Sequence, residues 1–140
     1  MKFWDTSAVV ALCLRESHTP RVRTVAEEDR AMAVWWTTPV ECYSAFARLR
    51  RNDILTRAQE DQARRVVTGL AAGWTEVQPS HQVRETASRV LLLHPLRAAD
   101  AFQLAAGLHW ADGQPARQHF VSLDERLREA AQREGFEVLP

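Results

Sequence analysis

What most constrains this chain is the rhythm of its apolar runs. Short strand-like stretches alternate with longer helical ones from one end to the other. Strand character falls at 2–5, 33–36, 74–78, 119–122 and 136–139, the third with only partial alternation. Between them the spacing predicts helices over 7–14, 19–30, from 38 to the Asn52-Asp53 break, 56–72, 81–93, 97–110 and 124–133. Thr19-Pro20 reads as an N-cap with a first-turn proline, and Thr38 to Glu41 as a capping box. Gly73 and Gly135 stand where helices stop, His94-Pro95 interrupts one, and 111–115 is a loop. Strands separated by helices need crossovers, which makes the sheet mostly parallel and covers both its faces. The expected fold class is therefore α/β, a three-layer sandwich formed by one domain over 1–140.

At 140 residues the chain can bury a core without disulfides or structural metal. Hydrophobic residues make up 46% and charged residues 26%, which argues against disorder and against a fibrous chain. Eighteen basic residues balance eighteen acidic ones, so net charge does not point to nucleic acid. Lys2 is the sole lysine, and the positive charge is otherwise arginine, the side chain suited to bidentate phosphate pairing. No apolar run reaches the roughly 20 residues of a membrane span. Asp5 arrives before a signal-peptide core can form, and Cys13 and Cys42 are isolated. A cytoplasmic protein with reduced thiols is expected, with no membrane partner.

In a parallel sheet all strand carboxyl ends share one edge, where ligands collect. Asp5 falls at the end of the first strand, Glu41 one turn into the helix after the second, and Asp124 just beyond the fourth. Asp100 sits in the first turn of an alanine-rich helix, among Leu96, Ala98, Ala99, Ala101 and Phe102. Four carboxylates gathered on that edge repel one another, by about 1 kcal/mol per pair at 4 Å in water and about 4 kcal/mol at an effective dielectric of 20. They therefore take up protons or bind a cation. An all-oxygen donor set without His or thiolate favours Mg²⁺ or Mn²⁺ over zinc, and such an ion supports phosphodiester hydrolysis.

Each acid has a second reading. Glu41 completes the capping box, Asp124 favours the start of its helix, Asp5 accepts from the amides of the next helix, and Asp100 pairs with Arg97 or another arginine. Only the joint arrangement speaks for a reactive site.

At these residues the chain resembles the PIN-domain nucleases, and among them the VapC-type toxins of prokaryotic toxin–antitoxin pairs. Asp5-Thr6-Ser7 before a buried helix is similar to the family's opening motif, and Glu41 to its second acid. The run Arg97-Ala98-Ala99-Asp100-Ala101-Phe102-Gln103-Leu104 resembles its third and most distinctive segment. Phe120-Val121-Ser122-Leu123-Asp124 resembles the fourth. The segments follow the family's order over the whole chain, while about 56–93 carries no matching motif. The resemblance implies a PIN-like fold and a Mg²⁺- or Mn²⁺-dependent endoribonuclease with catalytic Asp5, Glu41, Asp100 and Asp124. Asp5, Asp100 and Asp124 would hold the metal, with Ser7 and Ser122 in support. It also implies an RNA substrate, a cognate antitoxin and a homodimer. The antitoxin would lay its tail along Val9, Val10, Leu12, Leu14 and the helix after Pro20, positions that serve equally as core.

Rivals on the same fold class lack their residues. A haloacid-dehalogenase-like phosphatase needs a second Asp where Ser7 stands, and both it and a receiver domain need a late lysine. No Gly-x-Gly-x-x-Gly marks a dinucleotide site. Two alternatives stay open, a PIN-type nuclease of RNA maturation and a non-catalytic interaction module whose acids only stabilise helix ends. Arg48, Arg50 and Arg51 suit a helix C-terminus, and with Arg97 they also suit RNA phosphates. Trp35-Trp36 is expected to pack Trp36 into the core and Trp35 into the other layer, with base stacking as the other role. The five histidines are scattered, and none is assigned a role.

Overall fold

The alternation of apolar runs becomes a sheet with every strand parallel. A computed structural model describes residues 1–140. β1 (Lys2–Trp4) leads through α1 (Thr6–Cys13) and α2 (Thr19–Glu28) to β2 (Met32–Trp35). α3 (Thr38–Arg51) and α4 (Arg57–Ala71) connect it to β3 (Thr75–Val77). α5 (His81–Leu93) and α6 (Ala98–Trp110) carry the chain to β4 (His119–Val121), and α7 (Glu125–Glu134) to β5 (Glu137–Leu139). The strand order is β3-β2-β1-β4-β5, with Phe3 opposite both Ala33 and Phe120. No helix is long and apolar enough to cross a membrane.

Neighbouring strand residues point to opposite faces, and each face has its own core. Phe3, Ala33, Trp35 and Phe120 pack against α5, α6 and α7. Trp4, Met32, Val34 and Val121 pack against α1 to α4. The sheet and α6 approach closely at Gly107, where a Cβ would stand 2.8 Å from the buried Phe120 ring. Phe120 in turn stacks on Phe3 with ring centroids 5.2 Å apart.

The order matters because β1 lies between β2 and β4. The chain builds outward from β1 first to one side and later to the other, so the carboxyl ends of β1 and β4 flank a crevice at the point of reversal.

Local chemistry departs from the sequence expectation in three places. Thr19 and Thr38 are buried inside their helices rather than capping them. Thr19 Oγ1 instead meets the carbonyls of Ala11 at 2.8 Å and Leu14 at 2.9 Å, tying α2 to α1. The box at Thr38 does not form, since Thr37 is the N-cap residue and makes no side-chain cap bond. Trp35 is the tryptophan in the core, 4% exposed, whereas Trp36 lies past the strand end and is 50% exposed. By contrast, Thr56 does form a capping box with Gln59.

Candidate active site

Asp5 follows β1 directly, and its carboxylate caps α1. Its Oδ2 receives Ser7 Oγ at 2.5 Å, Ser122 Oγ at 2.9 Å and the Ser7 amide at 3.2 Å. Ser7 Oγ also accepts from the Leu123 amide at 2.8 Å, and Ser122 Oγ from the Asp124 amide at 3.2 Å. The two serines thus stitch the β1–α1 junction to the β4–α7 junction across the crevice. The three bonds to the Asp5 carboxylate all fall on Oδ2, so Oδ1 stays free for a ligand. Burial pushes the Asp5 carboxyl up to about 6, against the pull of the Ser7 and Ser122 hydrogen bonds and with a small addition from the Glu41 charge.

Glu41 is held from three sides. Thr37 Oγ1 donates to its Oε1 at 2.5 Å, and Thr6 Oγ1 donates to its Oε2 at 2.9 Å. Gln103 Nε2 donates to Oε2 at 3.2 Å and reaches Thr6 Oγ1 at 2.8 Å. Gln103 is 1% exposed, and its Oε1 is buried without a partner. The turn-capping role expected for Glu41 is therefore replaced by a clamp that joins α1, α3 and α6.

Asp100 stands in the first turn of α6 and forms no ion pair with Arg97. Its carboxyl is raised by burial and then by the Asp124 charge, with Glu41 adding less; the Arg97 amide and guanidinium act the other way. Asp124 is the N-cap of α7, its Oδ1 accepting from Leu127 N at 2.9 Å. The helix-start reading of Asp124 thus holds alongside its place in the cleft.

The four acids line one open cleft of about 490 Å³, together with Thr6, Ser7, Val10 and Arg48. A second cavity adjoins it, walled by Asp100 and Asp124 and by Arg97 and Arg126. Of the arginines expected near RNA, Arg48 and Arg97 therefore lie beside the acids. Arg50 is engaged by Glu60 of α4, and Arg51 lines neither cavity. Val9 is buried in the core, which removes it from any docking groove, while Val10 lies on the cleft wall and Leu14 lines a separate cavity with Leu49, Ile54 and Leu55.

Thr6, Thr37 and Gln103, which hold Glu41, were given no role of their own in the sequence, nor were Glu16, His18 and Ser44 on the cleft wall. Gln103 had a signal, because it follows Asp100 by one helical turn and is the lone polar side chain in a run of Ala and Leu. A polar group on a packed helix face needs a partner.

Glu16 adds a fifth carboxylate to the cleft wall, where Arg48 and His18 also stand, and this oxygen-rich lining suits a hard divalent cation. No three His, Cys, Asp or Glu side chains are drawn together closely enough to hold an ion outright. The acids share the cleft and feel one another's charge without touching.

No family model matches the sequence, and no curated protein matches it. Solved structures do. The chain aligns over 98% of its length with 87% of PAE2754 from Pyrobaculum aerophilum, at TM-score 0.64 and 21% identity. It aligns over 100% of its length with 97% of FitAcB from Neisseria gonorrhoeae, at TM-score 0.67 and 14% identity. It also aligns over 100% with the whole of VapC20 from Mycobacterium tuberculosis, a sarcin-ricin loop cleaving toxin, at TM-score 0.63 and 18% identity. The fold is PIN-like. At 14–21% identity the likeness is one of architecture, and the chemistry must be read from the PIN-like cleft itself.

Proposed function

We propose that this chain is a divalent-metal-dependent endoribonuclease that acts as the toxin of a toxin–antitoxin pair. The observation that carries the reading is the meeting of Asp5, Glu41, Asp100 and Asp124 in one cleft at the β1/β4 switch point. Asp5, Asp100 and Asp124 would hold Mg²⁺ or Mn²⁺. A cation there supplies Lewis-acid polarisation of the scissile phosphate and acidifies a water. Ser7 and Ser122 orient Asp5 by occupying Oδ2, which directs Oδ1 outward. Thr6, Thr37 and Gln103 fix Glu41, which accepts the proton of the attacking water. Arg48 and Arg97 bind the RNA backbone on either side of the acids and offset their repulsion of phosphate.

The likeness to VapC20, whose description is that of a sarcin-ricin loop cleaving toxin, supports RNA as substrate. A cognate antitoxin, a homodimer and a cytoplasmic location belong to the same reading. The test is cleavage of labelled RNA by the purified protein in Mg²⁺ or Mn²⁺, stopped by a chelator and absent in Asp100→Asn. A non-catalytic module would leave the RNA intact under every condition.

A further inference from the structure

Beside the acidic cleft lies a pocket of about 530 Å³, within the roughly 300–1,000 Å³ typical of small-ligand sites. We propose that it is a nucleobase subsite, seating the base of a nucleotide next to the one being cut against Trp36, with Arg84 taking a neighbouring phosphate. The proposal rests on the ribonuclease reading and adds to it a contact that selects single-stranded RNA.

Four observations carry it. First, Glu41 is a wall of both the pocket and the acidic cleft, and Ala99 is a wall of both the pocket and the cavity beside Asp100, so a strand can pass from one to the next. Second, Trp36 is half exposed at the rim although its neighbour Trp35 is buried. Third, Trp35 and Phe102 also line the pocket and stack in parallel on each other, with centroids 5.7 Å apart and 2° between planes, which gives it a packed aromatic wall. Fourth, polar groups are at hand. Arg84 makes no ion pair, and Ser80 Oγ accepts from Val83 N at 3.2 Å, leaving its own proton for a base edge.

Charge explains why such a contact is needed. The chain has no net charge to steer RNA, and the acids repel phosphate at close range. A base face stacked on indole adds affinity without bringing another phosphate toward those acids.

The experiment uses the full chain carrying Asp100→Asn, in Mg²⁺, with a fluorescein-labelled single-stranded octaribonucleotide of randomised sequence read by anisotropy. Trp36→Ala should raise Kd about 5- to 100-fold, while Trp36→Phe keeps the affinity within about threefold because a stacking ring remains. Arg84→Gln should weaken binding and reduce the slope of log K against log salt by about one. Thermal melts establish that each variant is folded, as the exposure of Trp36 leads one to expect. If Trp36→Ala binds as tightly as its parent, the subsite is wrong while metal-dependent cleavage by the wild type keeps the nuclease reading intact. If the parent binds too weakly to measure, the KM of wild type and Trp36→Ala in cleavage decides, and equal values overturn the subsite. If Trp36→Ala turns a dimer into monomers in sedimentation, the surface joins two copies and the proposal falls. Absence of any cleavage by wild type would remove both readings together.

Discussion

Two carboxylates withdrawn from solvent differ in whether the protein supplies their counter-charge. Glu134, at the end of α7, meets His94 Nε2 at 2.8 Å and Arg89 Nη2 at 3.1 Å. Burial would raise its carboxyl, but the His94 and Arg89 hydrogen bonds and charges outweigh it and hold the group below the ordinary range. Asp5, 4% exposed, has only hydroxyls and an amide for partners, faces a further acid, and is driven up to about 6. One site supplies its own counter-charge. The other leaves that place open, at the sheet edge where a ligand can reach it. The difference is one of counter-charge added to one of burial, which is deeper at Asp5.

The hardest test of this contrast is catalytic. Asp100→Asn removes a charge from the unbalanced cluster and should lower RNA cleavage on the order of 10²-fold or more, measured as initial rates on labelled RNA. Glu134→Gln should leave that rate near wild type once the melting temperatures are allowed for. An equal loss in both would erase the distinction.

Metal should separate the two sites next. At a hundredfold excess over Kd, an ion that binds only the folded chain adds about 2.7 kcal/mol, and a domain of this size should gain several degrees in Tm. The gain should shrink in Asp5→Asn and persist in Glu134→Gln, by thermal melts in Mg²⁺ or Mn²⁺ against chelator.

In chelator, the two carboxylates should give stability opposite slopes with pH. The Asp5 carboxyl is raised in the folded chain, from 3.8 to about 6. Its contribution is complete below pH 4 and is lost as pH rises through 6, so Asp5→Asn should become more stable than wild type, by roughly 1–3 kcal/mol at pH 7. The Glu134 carboxyl is lowered. Its contribution is present above its unfolded value and fades as pH falls through the folded one, so Glu134→Gln should cost about 1–3 kcal/mol at pH 7 and less in acid. Urea titrations across pH 3–8 would read both, and parallel slopes would contradict the contrast.

The smallest effect concerns the arginines. Arg50 is spent on Glu60, so Arg50→Gln should cost at most about 1 kcal/mol and spare RNA affinity. Arg48→Gln, within the acidic cleft, should weaken RNA binding with little change in Tm, by anisotropy and thermal melts.

The order of strands and helices was legible from residue patterning, because a period of two and a period near 3.6 are local properties. So were the four acids, since each adjoins an element end that a parallel sheet sends to the same edge. Cap chemistry was less legible. Thr38 and Glu41 have the spacing of a capping box, yet Thr6 and Gln103, distant in sequence, compete for Glu41 and win. Trp36 was expected in the core because strand alternation was carried one residue beyond Trp35, where β2 ends.

Sequence alone determined the composition of the site: which carboxylates exist, which hydroxyls stand beside them, and that arginine supplies nearly all the positive charge. Only the folded chain decided their company. Ser122 reaches Asp5 across 117 positions, Gln103 reaches Glu41 across 62, and Glu134 finds His94 across 40. A carboxylate's behaviour depends on the charges and donors within a few ångströms of it and on its exposure to water. Those neighbours come from remote stretches of chain, so no local pattern can specify whether an acid will be neutralised within the protein or left without a counter-charge.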